Sequence, residues 1–160
     1  MPQIWTSPSS PAAWIPTLLV GEILSPAGGV GEIVRVASEA GEEWALVAPP
    51  GAVCLNGEPL ALGLRVLRDK DEVSAGAARM FYSSERLAVI EPFAGSEPVV
   101  CPRCKQPVNA GDPSVRCPGC GVVCHESEEF PCFTYTPSCP LCSRSSALNE
   151  FTWTPEDVEG

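Results

Sequence analysis

CPRCKQPVNAGDPSVRCPGCGVVCHESEEFPCFTYTPSCPLC, residues 101–142, holds eight of the chain's nine cysteines and its only histidine. A Cys-x-x-Cys turn lets two sulfurs reach one ion about 2.3 Å away at tetrahedral angles, and a Pro or Gly between them tightens the turn. Three such pairs occur here: Cys101/Cys104, Cys117/Cys120 and Cys139/Cys142. A segment this small buries too little apolar surface to fold unaided, and bound zinc supplies what is missing. The reading is a zinc-binding domain.

Two closed tetrahedral sites need eight ligands, and the segment offers nine candidates: the three pairs, Cys132, and the adjacent Cys124 and His125. Neighbours in sequence rarely serve one ion together. The Cys120-x4-His125 spacing points to His125 as the ligand, with Cys124 as its alternative. Two orders are open. In a cross-brace, Cys101, Cys104, His125 and Cys132 hold one zinc, and Cys117, Cys120, Cys139 and Cys142 hold the other. In a zinc ribbon, Cys101, Cys104, Cys117 and Cys120 share one ion. The full string, ending in Cys-Pro-Leu-Cys, favours the cross-brace. Either order leaves no open position for a catalytic water, which argues against a metallohydrolase.

This string resembles the RING-finger group, particularly RING-like fingers of prokaryotic proteins. The resemblance implies a RING-type ligase or ligase adaptor of a ubiquitin-like conjugation pathway. Its partners would be a ubiquitin-conjugating enzyme and a ubiquitin-like protein, and its contribution the orientation of the thioester-linked modifier. By position, the resemblance implies partner contacts at Pro102, Arg103, Phe133, Tyr135, Pro140 and Leu141. Arg144 takes the role of the cation that bridges enzyme and modifier, although that cation commonly follows the last ligand directly, where Ser143 stands. Arg103 also departs from the usual hydrophobe. A non-enzymatic scaffold and a nucleic-acid-associated zinc ribbon are the rival readings.

Outward from the cysteines, the chain divides into a domain at 1–95, a linker at 96–100, the zinc domain at 101–142, and a polar, finally acidic tail at 143–160. In the tail, Phe151 and Trp153 alternate with threonines as in one strand packed back on the protein. The N-terminal domain reads as mainly β. Ile33–Val36, Trp44–Val47 and Leu87–Ile90 are short apolar runs bounded by Gly, Pro and Ser, and no helical stripe is sustained. Asn56-Gly57 signals a type I′ hairpin, which requires positive φ at both central residues. A β-sandwich or partly closed barrel is expected, with Cys54 a small buried strand residue.

The stretch AVCLNGEPLALGLRVLRDKDEVSAG, residues 52–76, resembles the second half of a forkhead-associated domain, over roughly 47–93. That resemblance implies a β-sandwich that docks a further protein. The Arg, Ser and His motifs with which such domains bind phosphothreonine have no match here.

Charge bounds the partners. With 20 acidic and 10 basic residues the net charge is −10, which repels phosphate backbones. Two divalent ions over seven thiolates and one imidazole still leave −3. The opening MPQIWTSPSS lacks a basic n-region, and the apolar stretch 12–20 is short and broken by Pro16. No run reaches the roughly 20 apolar residues of a membrane helix. The expected setting is the reducing cytoplasm, where such cysteines bind metal rather than pair. A composition rich in Ala, Gly, Pro and Val and poor in Lys suits a prokaryotic source with a GC-rich genome.

Overall fold

The computed structural model describes residues 2–7, 14–19, 23–24, 30–38 and 41–158. Residues 12, 13 and 20 of the apolar stretch near the N-terminus, and the last two residues of the acidic tail, lie outside these. The chain is mainly β, with strands β1 (Gln3–Thr6), β2 (Ile15–Leu18), β3 (Ile23–Leu24), β4 (Glu32–Ser38), β5 (Gly41–Val47), β6 (Cys54–Leu55), β7 (Glu58–Pro59), β8 (Leu64–Val66), β9 (Glu72–Ala75), β10 (Ala78–Ser83), β11 (Ile90–Pro92), β12 (Val99–Val100), β13 (Pro107–Val108), β14 (Pro113–Arg116) and β15 (Val123–His125). Among the described residues, helix is confined to one 3₁₀ turn, Pro155–Asp157. Among the described residues no helix is long and apolar enough to cross a membrane.

Two compact units form: Met1–Glu85 with Trp153–Gly160, and Arg86–Thr152. The first contains a six-stranded sheet, β2-β1-β10-β9-β6-β7, and a four-stranded sheet, β3-β4-β5-β8. Strand alternation sends Ile4, Val73 and Met80 from one sheet, and Ile33, Trp44 and Leu46 from the other, into a shared core with Val53 and Leu67. The Asn56-Gly57 turn joins β6 to β7, with φ of 52° and 82°. Asn56 tolerates this conformation because its side chain is tied down. Its Nδ2 donates to Asp71 (2.8 Å), and its Oδ1 accepts from the Glu72 amide (2.8 Å).

On the other face of the six-stranded sheet, Phe81 is the centre of an aromatic cluster. Trp14 and Trp153 meet it edge-on, at 5.2 and 5.7 Å between ring centroids. The tail thus returns to the first unit, but not as the expected strand. Pro155 fixes φ in the first turn of a 3₁₀ helix, where its missing N–H is no loss. Phe151 belongs to the second unit and Trp153 to the first.

The second unit begins earlier than expected. Of Leu87–Ile90 only Ile90 is in a strand, and it pairs with Val115 of β14. Ala88 is buried in the second unit's core, and its carbonyl accepts the Asn149 amide at 2.9 Å. The expected linker at 96–100 contributes β12, which pairs with β13. The boundary therefore falls between Glu85 and Arg86, not near residue 95. Three strands, β11-β14-β15, and the small β12-β13 pair surround a core of Phe93, Val108, Val115, Val123 and Phe133, interleaved with cysteines. Five of the eleven buried residues of this core are cysteines.

Candidate metal centres

Three short knuckles carry the cysteine pairs. In each, the first cysteine's amide donates to a carbonyl five residues on: Cys101 to Gln106 (3.0 Å), Cys117 to Val122 (2.8 Å) and Cys139 to Arg144 (2.9 Å). In the first two, the residue after the second cysteine turns left-handed and donates back to the first cysteine's carbonyl. That residue is Lys105 in one (φ 63°) and Gly121 in the other (φ 76°). Glycine takes this conformation without steric penalty, whereas a residue with a Cβ pays about 1 kcal/mol or more. A Cβ at Gly121 would meet nothing within 4 Å, so Gly121→Lys isolates the backbone cost. We expect a loss of about 1 kcal/mol, read as a lower unfolding midpoint of the second unit.

The ligand atoms gather into two groups of four: Cys101, Cys104, His125 and Cys132, and Cys117, Cys120, Cys139 and Cys142. Within each group all ligand atoms lie within 4.8 Å of one another, and each group could hold a metal ion. The groups interleave along the chain, the first and third ligand pairs in one, the second and fourth in the other. Cys101 and Cys104 are not grouped with Cys117 and Cys120, as a ribbon would require.

The donor geometry fits zinc. Tetrahedral Zn–S bonds of about 2.3 Å put sulfurs about 3.8 Å apart. Cys117 and Cys142 are separated by 3.6 Å, and Cys120 and Cys139 by 3.7 Å. In the other group Cys104 Sγ lies 3.3 Å from His125 Nδ1. Thiolates with imidazole are soft, borderline donors that suit zinc rather than magnesium or calcium.

His125 sits at the end of β15 with both ring nitrogens engaged. Nε2 lies 3.1 Å from the Pro107 carbonyl oxygen. A carbonyl only accepts, so Nε2 carries the proton and Nδ1 keeps its lone pair toward the cysteines. Phe130 packs against the ring at 5.5 Å. Cys124, one residue earlier and facing across to Val115, belongs to neither group. It is fully buried among core residues. Burial, with the charges of Cys101 and Cys139, pushes its thiol up to about 12.

The electrostatics ask for a cation. Burial raises the Cys101 thiol, but the amides of Cys104, His125 and Arg103 outweigh it and bring the thiol down to about 6. Cys117 follows the same pattern: burial works against the Cys120 and Gly119 amides, which bring it down to about 7. Burial first, then neighbouring cysteines, push Cys132 up to about 12. A second thiolate in either group is thus opposed by the first, and a divalent ion removes that opposition.

Sequence reasoning missed Glu126. It is buried, and its Oε2 accepts the amides of Phe133 (2.9 Å) and Thr134 (3.0 Å), while Oε1 accepts the Thr134 hydroxyl (2.6 Å). It closes the loop between His125 and Cys132, so both ligands depend on it. Only its place directly after the histidine could have signalled this. Glu126→Ala removes the acceptor of both amides and of the Thr134 hydroxyl. We expect it to destabilise the unit by about 2–3 kcal/mol and to ease zinc loss from the Cys101 group in a chelator titration.

The other sequence-predicted residues are scattered. Phe133 is 0% exposed, a core residue with no surface to offer a partner. Tyr135 (71%) and Leu141 (63%) are exposed. Pro140 is exposed at the third knuckle and Pro102 half-buried at the first. Arg103 is occupied: Nη2 donates to Thr136 Oγ1 (2.6 Å), and the guanidinium lies 5.0 Å from the Tyr135 ring. Arg144 is half-buried, and its Cβ lies close to Gly119.

No protein-family model, curated protein or solved structure matches the chain, so its function is argued from this geometry alone.

Proposed function

We propose that the second unit is a RING-like finger holding two structural zinc ions. In this reading it serves as a ligase or ligase adaptor of a ubiquitin-like conjugation pathway. The interleaving of the two ligand groups carries the reading. Cross-bracing makes each ion hold together segments that the other ion separates, so the surface is rigid without a large core. Such a finger binds a conjugating enzyme and restrains its thioester-linked modifier, a contribution of orientation that needs no nucleophile or base. Tyr135 and Leu141 supply exposed apolar contacts, and Arg144 is the candidate cation. The first unit, read as a forkhead-associated-like sandwich, docks a further protein; the pinned Asn56-Gly57 turn and the core shared by two sheets support that reading.

Single-turnover discharge of modifier from a panel of conjugating enzymes tests the proposal. Leu141→Ala and Tyr135→Ala should weaken enzyme binding by about tenfold, as removal of central apolar contacts does. Arg144→Ala should preserve binding and slow discharge. If no enzyme's binding or discharge responds to any of the three, the ligase reading is abandoned.

A second reading, a scaffold without catalytic effect, draws on Arg103 and Ser143. Arg103 is committed to Thr136 and Tyr135, and Ser143 stands directly after the last ligand. It predicts enzyme binding with unchanged discharge.

A further inference from the structure

Strand β8 ends the four-stranded sheet. Among the described residues it pairs only with β5. The Leu67 amide donates to Trp44 (2.7 Å), and the Gly63 carbonyl accepts from Ala48 (2.9 Å). In an antiparallel ladder this orientation alternates. Gly63, Arg65 and Leu67 therefore turn their backbone groups toward β5, and Leu64 and Val66 turn theirs outward. The outer edge presents two N–H and two C=O groups in the spacing of a strand. Short as it is, such an edge is a template for another strand.

The side chains along this edge are exposed. Leu64 is 57% and Val66 40% exposed, and Leu62, in the turn before them, is 91% exposed. Register places Val66 in one row with Ala45 and Val34, and Leu64 beside Val47. These side chains share the sheet face opposite Ile33 and Leu46, which lie in the core. An added strand would continue this apolar face by one row. Between Leu64 and Val66, on the other face, stands Arg65. It is exposed, and its side chain makes no hydrogen bond or ion pair among the described residues.

We infer that the β8 edge captures an extended segment of another protein, with apolar residues opposite Leu64 and Val66 and a carboxylate opposite Arg65. Residues directly opposite across two strands interact through their side chains, and opposite charges there are favourable. A second copy of this chain fits badly. Antiparallel self-pairing centred on β8 sets Arg65 against Arg65, a like-charge pair directly opposite. The overall acidity of the chain opposes an acidic segment only weakly, because salt screens charges beyond about 8 Å. The Arg65 contact lies well inside that distance and is screened less. This inference concerns the first unit and does not depend on the finger's function.

The test uses the intact, zinc-loaded protein and two fluorescein-labelled peptides, Gly-Ser-Thr-Val-Glu-Val-Thr-Ser-Gly and its analogue with Lys in place of Glu. Anisotropy titration should show the Glu peptide binding about tenfold tighter than the Lys peptide. Arg65→Glu should reverse that preference, and Val66→Pro, which deletes one outward N–H, should weaken both peptides. Arg65→Glu changes only an exposed side chain, so it decides the matter if Val66→Pro disturbs folding. Absence of binding by either peptide would overturn the inference. So would indifference to the charge at position 65, or a wild-type dimer in sedimentation velocity that Val66→Pro abolishes.

Discussion

Stripping zinc with a chelator is expected to unfold residues 86–152 while the first unit stays native. The second unit's core rests on Phe93, Val108, Val115, Val123 and Phe133, with cysteine sulfurs filling the space between them. Without metal, those sulfurs are a liability: burial first, then neighbouring cysteines, push the Cys132 and Cys139 thiols up to about 12. Structural zinc contributes on the order of 10 kcal/mol or more to small domains, comparable with the whole stability of a typical domain. The first unit has its own core, drawn from two sheets. The tryptophans make the two halves separable by spectroscopy, because Trp5, Trp14, Trp44 and Trp153 all belong to the first unit. Tryptophan emission should hardly move on chelation, while amide dispersion from residues such as Val115 and Phe133 collapses. Persistence of that dispersion without metal would show that zinc is not what folds the unit.

Substitutions at the adjacent Cys124 and His125 should have opposite consequences. His125→Ala removes the only nitrogen donor of its group, and one zinc should become at least about a hundredfold easier to extract, beyond the 10–100-fold typical of losing a supporting contact. Cys124→Ala leaves both donor groups intact. Its effect should be confined to a small core cavity worth about 1–2 kcal/mol, with both ions retained. Native mass spectrometry under graded chelator reads the two outcomes directly. Loss of an ion from Cys124→Ala, with His125→Ala unaffected, would make the cysteine the ligand.

The difference between those neighbours shows where a sequence is legible. Spacing alone favours His125, since Cys120-x4-His125 fits a known rhythm. What decides its role locally is strand alternation, which sets Cys124 toward Val115 in the core, and the Pro107 carbonyl that holds the imidazole's protonated side. The knuckles were legible because they are local: a few residues, a turn and two sulfurs. The Asn56-Gly57 hairpin was legible for the same reason, its φ values being written in the residue types. Leu87–Ile90 reads as an apolar run in either unit, and only pairing with Val115, 25 residues away, assigns it to the second. Phe133 and Tyr135 look alike in sequence, yet one is in the core and the other outside. The amides that Glu126 holds lie seven and eight residues on, and no motif connects them.

The interleaved pairing of the ligands is the claim on which the rest depends, and zinc counts on two double variants test it most directly. Cys104→Ser with Cys132→Ser damages one group twice, and one ion should survive a chelator challenge that leaves both ions in the wild type. Cys104→Ser with Cys120→Ser damages both groups once, and no ion should survive. One retained ion in this second variant would contradict the account, because it would place Cys104 and Cys120 around the same metal.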